Sequence, residues 1–220
     1  MVDTLSSWHG RAMVLAWGFA LPLGVLIARF FKIMPRQDWP NELDNRVWWR
    51  SHLILQWCGT VMSIVGLVLI VIKLKGELRS ETLHHLFGWA TLALLCVQIL
   101  GGVFRGTTGG PTQRDFEGSL RGDHFDMTVR REIFEVVHKF AGYLALVLGA
   151  GAVVSGLWAA NGPIWMWIGI ALWWGALVVT SLILQRQKRA YDTYQAIWGP
   201  SPDLPGNKTR PIGIGVFRKP

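Results

Sequence analysis

From Phe140 to Gln185 the chain runs for 46 residues without an acid, a lysine, an arginine or a histidine. One helix crosses the hydrocarbon core of a bilayer with about 20 apolar residues, so this run is long enough for two crossings. In lipid a single apolar run of this length satisfies its own backbone only as helix, whereas barrel strands are shorter and alternate. Asn161-Gly162-Pro163 divides the run and places proline at a helix start, where its missing N–H costs least. The two halves therefore read as a tight hairpin.

Extending the rule to the whole chain gives five spans, about Trp8–Phe31, Ser51–Ile72, Thr82–Phe104, Phe134–Ala160 and Pro163–Gln185. The predicted fold is an all-α membrane protein with five transmembrane helices in residues 1–185, four of them forming a cofactor-binding bundle. Residues 186–220 form a polar, proline-rich tail. The connection Arg105–Ile133, rich in glycine and mixed charge, reads as a second surface segment. With 51% hydrophobic and 16% charged residues the composition excludes a disordered or collagen-like chain. Met1–Trp8 carries Asp3 and no basic stretch, so the first apolar segment reads as a retained helix rather than a signal peptide.

The net charge of +8 raises nucleic acid as a partner, but the basic residues flank the spans, and the partner they imply is the bilayer. Arg11, Lys73, Lys75 and Arg79 mark the face holding the N-terminus, and the other 18 of 22 basic residues mark the opposite one. The positive-inside rule then predicts an outside N-terminus and a cytoplasmic C-terminus. Cys58 and Cys96 lie in separate apolar runs without a CxxC or CxxCH pattern, which removes a disulfide framework, a zinc ribbon and covalently attached haem.

Four of the six histidines carry the functional reading. His9, His52, His84 and His138 each lie in or near the first turn of spans one to four. Successive helices run in opposite directions, so His9 shares a depth with His84, and His52 with His138. Two pairs of imidazoles on alternating helices are what two bis-histidine b-type haems need. Each depth offers two imidazoles and no carboxylate or thiolate, a poor donor set for zinc or copper. With each ligand about one turn inside a ~30 Å core, the irons stand roughly 20 Å apart.

Below each histidine the helical stripe is narrow: His52, Gln56, Gly59, Ser63, Gly66 in span two, and His138, Gly142, Ala145, Gly149, Ala152, Gly156 in span four. His85 points about 100° away from His84, and His84 is preferred because Gly88 follows at i+4. His124, in the polar connection, reads as a solvated residue. Arg29, Arg50 and Lys139, beside the cytoplasmic ligands, are candidates to hold haem propionates or an anionic donor.

His9-Gly10-Arg11-Ala12-Met13, Trp17-Gly18, Pro22-Leu23-Gly24 and Ala28-Arg29-Phe30, followed by His84-x3-Gly88 and His138-x3-Gly142-Tyr143, resemble the cytochrome b561 family over about residues 8–185. The resemblance implies a four-helix core with two b-type haems that carries electrons from a cytoplasmic donor to an acceptor across the membrane. In eukaryotic members the donor is often ascorbate and the acceptor monodehydroascorbate or ferric iron. The chain resembles the membrane half of the DOMON-linked members, without a DOMON domain. Ascorbate, a quinol and a ferric chelate are the redox partners to consider. The assemblies open to it are a stand-alone reductase, a homodimer and a cytochrome subunit of a larger complex. The alternative is a haem-bearing anchor linking a dehydrogenase to the quinone pool, and a haem-free structural or transport subunit is the third reading.

Overall fold

The computed structural model describes residues 3–77, 82–106 and 122–219. Among them helix dominates, and the only extended pairing is an isolated bridge between Tyr191 and Phe217. Five helices are long and apolar enough to cross a membrane: Thr4–Phe30, Val47–Lys73, Leu83–Phe104, Val129–Ala159 and Ile164–Arg186. They coincide with the five predicted spans, and the chain is an all-α membrane protein. Arg79 and the middle of the Arg105–Ile133 connection lie outside the described residues.

The ends that differ do so for local reasons. Span one begins earlier than expected because Asp3 caps it, accepting from the Ser6 N–H at 3.0 Å and pairing with Lys73 at 2.6 Å. The hydrogen bond from Lys73 holds the Asp3 carboxyl well below the usual carboxylate range. Span four begins earlier because its first turns carry their own neutralisation. Glu135 pairs with Arg131 at 3.1 Å and with Lys139 at 2.7 Å, both at i,i+4 spacing.

The chain divides into two compact units. The first comprises Met1–Val25, His52–Cys96 and Gly142–Val179. Its centre is filled by Ala16, Trp17, Leu21, Ser63, Thr91 and Ala145, all buried. Small residues on the stripes admit large ones opposite: a Cβ on Gly59 would lie 2.6 Å from Leu21 Cγ, and one on Gly149 would lie 2.5 Å from Trp17 Cε3.

Span one is not uniformly α-helical, since Val14–Ala20 forms a π-helical segment. Ala16, Trp17 and Gly18 are buried in succession, more of the circumference than a single α face presents. Span five covers the additional side. The indole N–H groups of Trp173 and Trp174 both donate to the Gly18 carbonyl, at 2.8 and 3.2 Å, and Phe19 stacks on Trp173 at 5.0 Å.

The second unit comprises Leu26–Ser51, Val97–Ala141 and Thr180–Pro220. Here the C-terminal tail is folded. It forms a helix at Thr193–Trp198 and a 3-10 turn at Pro205–Lys208, and it buries Tyr194, Ala196 and Trp198. Arg218 ties it together, donating to Asp192 Oδ2 at 2.6 Å, Gly206 O at 2.8 Å and Asn207 O at 3.1 Å. His124 differs from its sequence reading. It is 1% exposed, accepts from the Trp198 indole at 3.3 Å and lies 3.7 Å from the Glu135 carboxylate.

Lys32 is also buried in this unit, its ammonium donating to Tyr191 O at 3.0 Å. Burial, reinforced by Lys139 and Arg29 and opposed by Asp192 and Glu135, pushes its pKa down from 10.5 to about 7. The unfolded chain holds this proton up to the higher value. Between those two pH values the unfolded state therefore binds more protons, and stability rises with pH. Lys32→Met should flatten this rise and raise the thermal midpoint at neutral pH. Midpoints measured in detergent between pH 6 and 10, in steps of about one unit, check it; equal slopes for variant and parent would contradict the assignment.

Candidate histidine centre

The first unit brings His9 and His84 together. Their rings stand 6.1 Å apart, centroid to centroid, with planes at 89°. Each ring is anchored from behind by backbone: His9 Nδ1 lies 2.8 Å from Gly66 O and His84 Nδ1 lies 3.0 Å from Ala152 O. A carbonyl only accepts, so the proton is assigned to Nδ1 in both rings and Nε2 keeps its lone pair. This is the usual outer bond of a metal-bound imidazole.

The separation fits a shared metal. Two imidazoles bound on opposite sides of one ion, at about 2.0 Å from nitrogen to metal, have centroids about 6 Å apart. The neighbouring helices leave open space one turn beyond His84. A Cβ on Gly88, one turn beyond His84, would meet nothing within 4 Å. Thr91 Oγ1, further along the same stripe, is buried with no hydrogen-bond partner among the described residues. Gly156 admits the His84 ring itself, since a Cβ there would lie 2.9 Å from Cε1. The residues present fit a haem.

His52 belongs to the same unit and is anchored in the same way, Nδ1 to Gly24 O at 3.0 Å. One turn on, Gln56 Nε2 donates to Leu21 O at 3.2 Å and fixes span two against span one. His138 lies in the second unit. Its ring is 5.0 Å from that of Phe134, and it lines an apolar cleft with Val97, Gly101 and Phe104. His85 sits beside His84 at 5.9 Å between centroids.

The candidate cations divide. Arg29 donates to Gln185 Oε1 at 2.9 Å and to Ile214 O at 2.7 Å, while Lys139 donates to Glu135 Oε2 at 2.7 Å and to Ile212 O at 2.8 Å. Both therefore hold the tail. Arg50 is exposed at the start of span two. The functional atoms that the residue pattern missed are the carbonyls of Gly24, Gly66 and Ala152, because a backbone acceptor leaves no mark on the side-chain alphabet.

Five apolar helices define a helical integral membrane protein, and its backbone-anchored imidazole pair has the donor chemistry that a haem requires. A cytochrome b561, DM13 and DOMON domain-containing protein of Arabidopsis thaliana is 31% identical over 149 residues, which cover 68% of this chain and 14% of that protein. Human ferric-chelate reductase 1 is 30% identical over 134 residues, 61% of this chain and 22% of its own length. A second Arabidopsis protein, with cytochrome b561 and DOMON domains, is 25% identical over 185 residues, 82% of this chain and 34% of its own length. No family model and no solved structure matches the chain.

The chain belongs to the cytochrome b561 family. Membership brings b-type haem and electron transport through a membrane as its general chemistry. It spans only a minor part of the length of each of these relatives.

Proposed function

We propose that this chain moves electrons across the membrane through two bis-histidine b-type haems, one held by His9 and His84 and the other by His52 and His138. The observation that carries this reading is the 6.1 Å approach of the His9 and His84 rings, both anchored at Nδ1. The pairing of His52 with His138 rests on the alternation of the spans. Haem held by these imidazoles would supply one-electron, outer-sphere transfer. The chain's own residues orient the rings through Gly66, Ala152 and Gly24, and the buried side chains around Trp17 exclude water from the centre.

In this reading the N-terminus is outside, the C-terminus is cytoplasmic, and electrons run from a cytoplasmic-side donor to an outer-side acceptor. Arg50, with the charges of Arg29 and Lys139 near it in the sequence pattern, supplies positive charge for an anionic donor or for propionates. The relatives named ferric-chelate reductase make a ferric chelate the acceptor to test, with the chain acting alone or as a cytochrome subunit.

The purified chain should hold about two b haems and show a low-spin bis-imidazole spectrum. In vesicles of known orientation, ascorbate on the C-terminal side should reduce a ferric chelate on the other. Reduction by a quinol but not by ascorbate would favour the membrane-anchor reading. Absence of haem would end both.

A further inference from the structure

Trp17 is the only aromatic ring in the buried centre of the unit holding His9, His52 and His84, among the described residues. It follows His9 by eight residues and precedes Gly24, the acceptor for His52, by seven. At the α-helical 1.5 Å per residue, less across the π-helical segment, these separations are at most about 12 and 10 Å, which puts Trp17 near the middle of span one between the two histidine levels. Its ring is pressed against span four, where a Cβ on Gly149 would lie 2.5 Å from Cε3. Gly149 is one turn from Ala152, whose carbonyl anchors His84.

The backbone beside the ring is pinned as well. The π-helical segment contains Trp17, and the next carbonyl, that of Gly18, takes both indole N–H groups of Trp173 and Trp174. A π-helical segment inside a longer α-helix is uncommon and recurs at functional sites. Here it holds one conjugated side chain in a centre otherwise built from aliphatic and small residues.

We propose that Trp17 is the electron relay between the two histidine levels. The inference rests on the two-haem reading. With haem bound at both levels, an electron given up at the His52 level and taken up at the His9/His84 level would cross the stretch of span one that Trp17 occupies. Trp17 supplies π orbitals that bridge the gap, ends neither oxidised nor reduced, and exchanges no proton. The filled and empty orbitals of an indole lie closer in energy to those of a porphyrin than do the σ orbitals of an aliphatic side chain, so the tunnelling barrier through the ring is lower.

The test uses the full-length, haem-loaded chain and its Trp17→Leu, Trp17→Met and Trp17→Phe variants. Absorbance and a potentiometric titration are recorded first, followed by the rate at which an electron injected by a light flash equilibrates between the haems. The expected result is unchanged spectra and potentials in all four proteins. Equilibration should slow about tenfold or more in the Leu and Met variants and be largely restored in the Phe variant. If one aliphatic variant fails to fold, the other carries the comparison. Equilibration at the parent rate in an aliphatic variant would overturn the relay. So would slowing accompanied by shifted potentials and no rescue by phenylalanine, which marks a packing role. A parent protein titrating as a single haem would refute the two-haem reading before any variant is measured, and the relay with it.

Discussion

If two haems are bound as proposed, His84→Ala should remove one and leave the other: the reduced-minus-oxidised absorbance of the purified variant should fall to about half, and the remaining haem should keep its potential. The size of the effect follows from geometry. His84 is one of two rings brought together, held 6.1 Å from the other and anchored on Ala152 O at 3.0 Å. His85 is the nearest substitute, but a neighbouring residue on a helix points about 100° away. Its ring centroid already sits 5.9 Å from that of His84. His9→Ala should give the same spectrum, because both changes empty one site, and the double variant should lose no more than either single change. Such non-additivity is the sign of residues acting as a unit. His52→Ala and His138→Ala should remove the other haem. A His84→Ala protein that retained both haems, or lost both while still folded, would refute the pairing.

The spans could be read from the chain because lipid imposes one demand, absence of unpaired charge over a known length, and Phe140–Gln185 meets it conspicuously. Where charge is paired within a helix the rule stops too early, as it does at Glu135 between Arg131 and Lys139. The approach of His9 to His84 was similarly open to inspection, since antiparallel helices bring first-turn residues of alternate spans to one depth.

Other features had no such signal. The π-helical segment at Val14–Ala20 answers to two indoles of span five more than 150 residues away, and nothing in its own spacing announces it. His124 looked solvated because its neighbours are Asp123 and Asp126, yet its hydrogen-bond donor is Trp198, 74 positions on. The folded tail was hidden for a related reason. Its helix is six residues long, too short for periodicity, and its stability comes from Arg218 gathering carbonyls of a turn that composition reads only as proline-rich.

A substitution that touches no ligand separates anchoring from simple possession of histidines. Gly156→Ala places a Cβ 2.9 Å from His84 Cε1 and 3.0 Å from Nδ1, closer than unbonded atoms of this kind tolerate. Helical backbone constrains the new carbon, so the imidazole is the part that yields. Its movement strains the 3.0 Å contact with Ala152 O and, on the proposed pairing, carries Nε2 away from the place where it would share an iron with His9. Loss of an outer anchor of this kind typically costs 10–100-fold in metal affinity, and the haem of this level should weaken by about that factor while His84 itself remains. Gly175→Ala is the matched control, a glycine in span five where a Cβ meets nothing within 4 Å. Haem titration of the stripped protein, followed at the absorbance maximum, should show one weakened and one unchanged site for Gly156→Ala and two unchanged sites for Gly175→Ala. Equal binding curves for the two variants would mean that the contact between Gly156 and His84 does not set the ring's position.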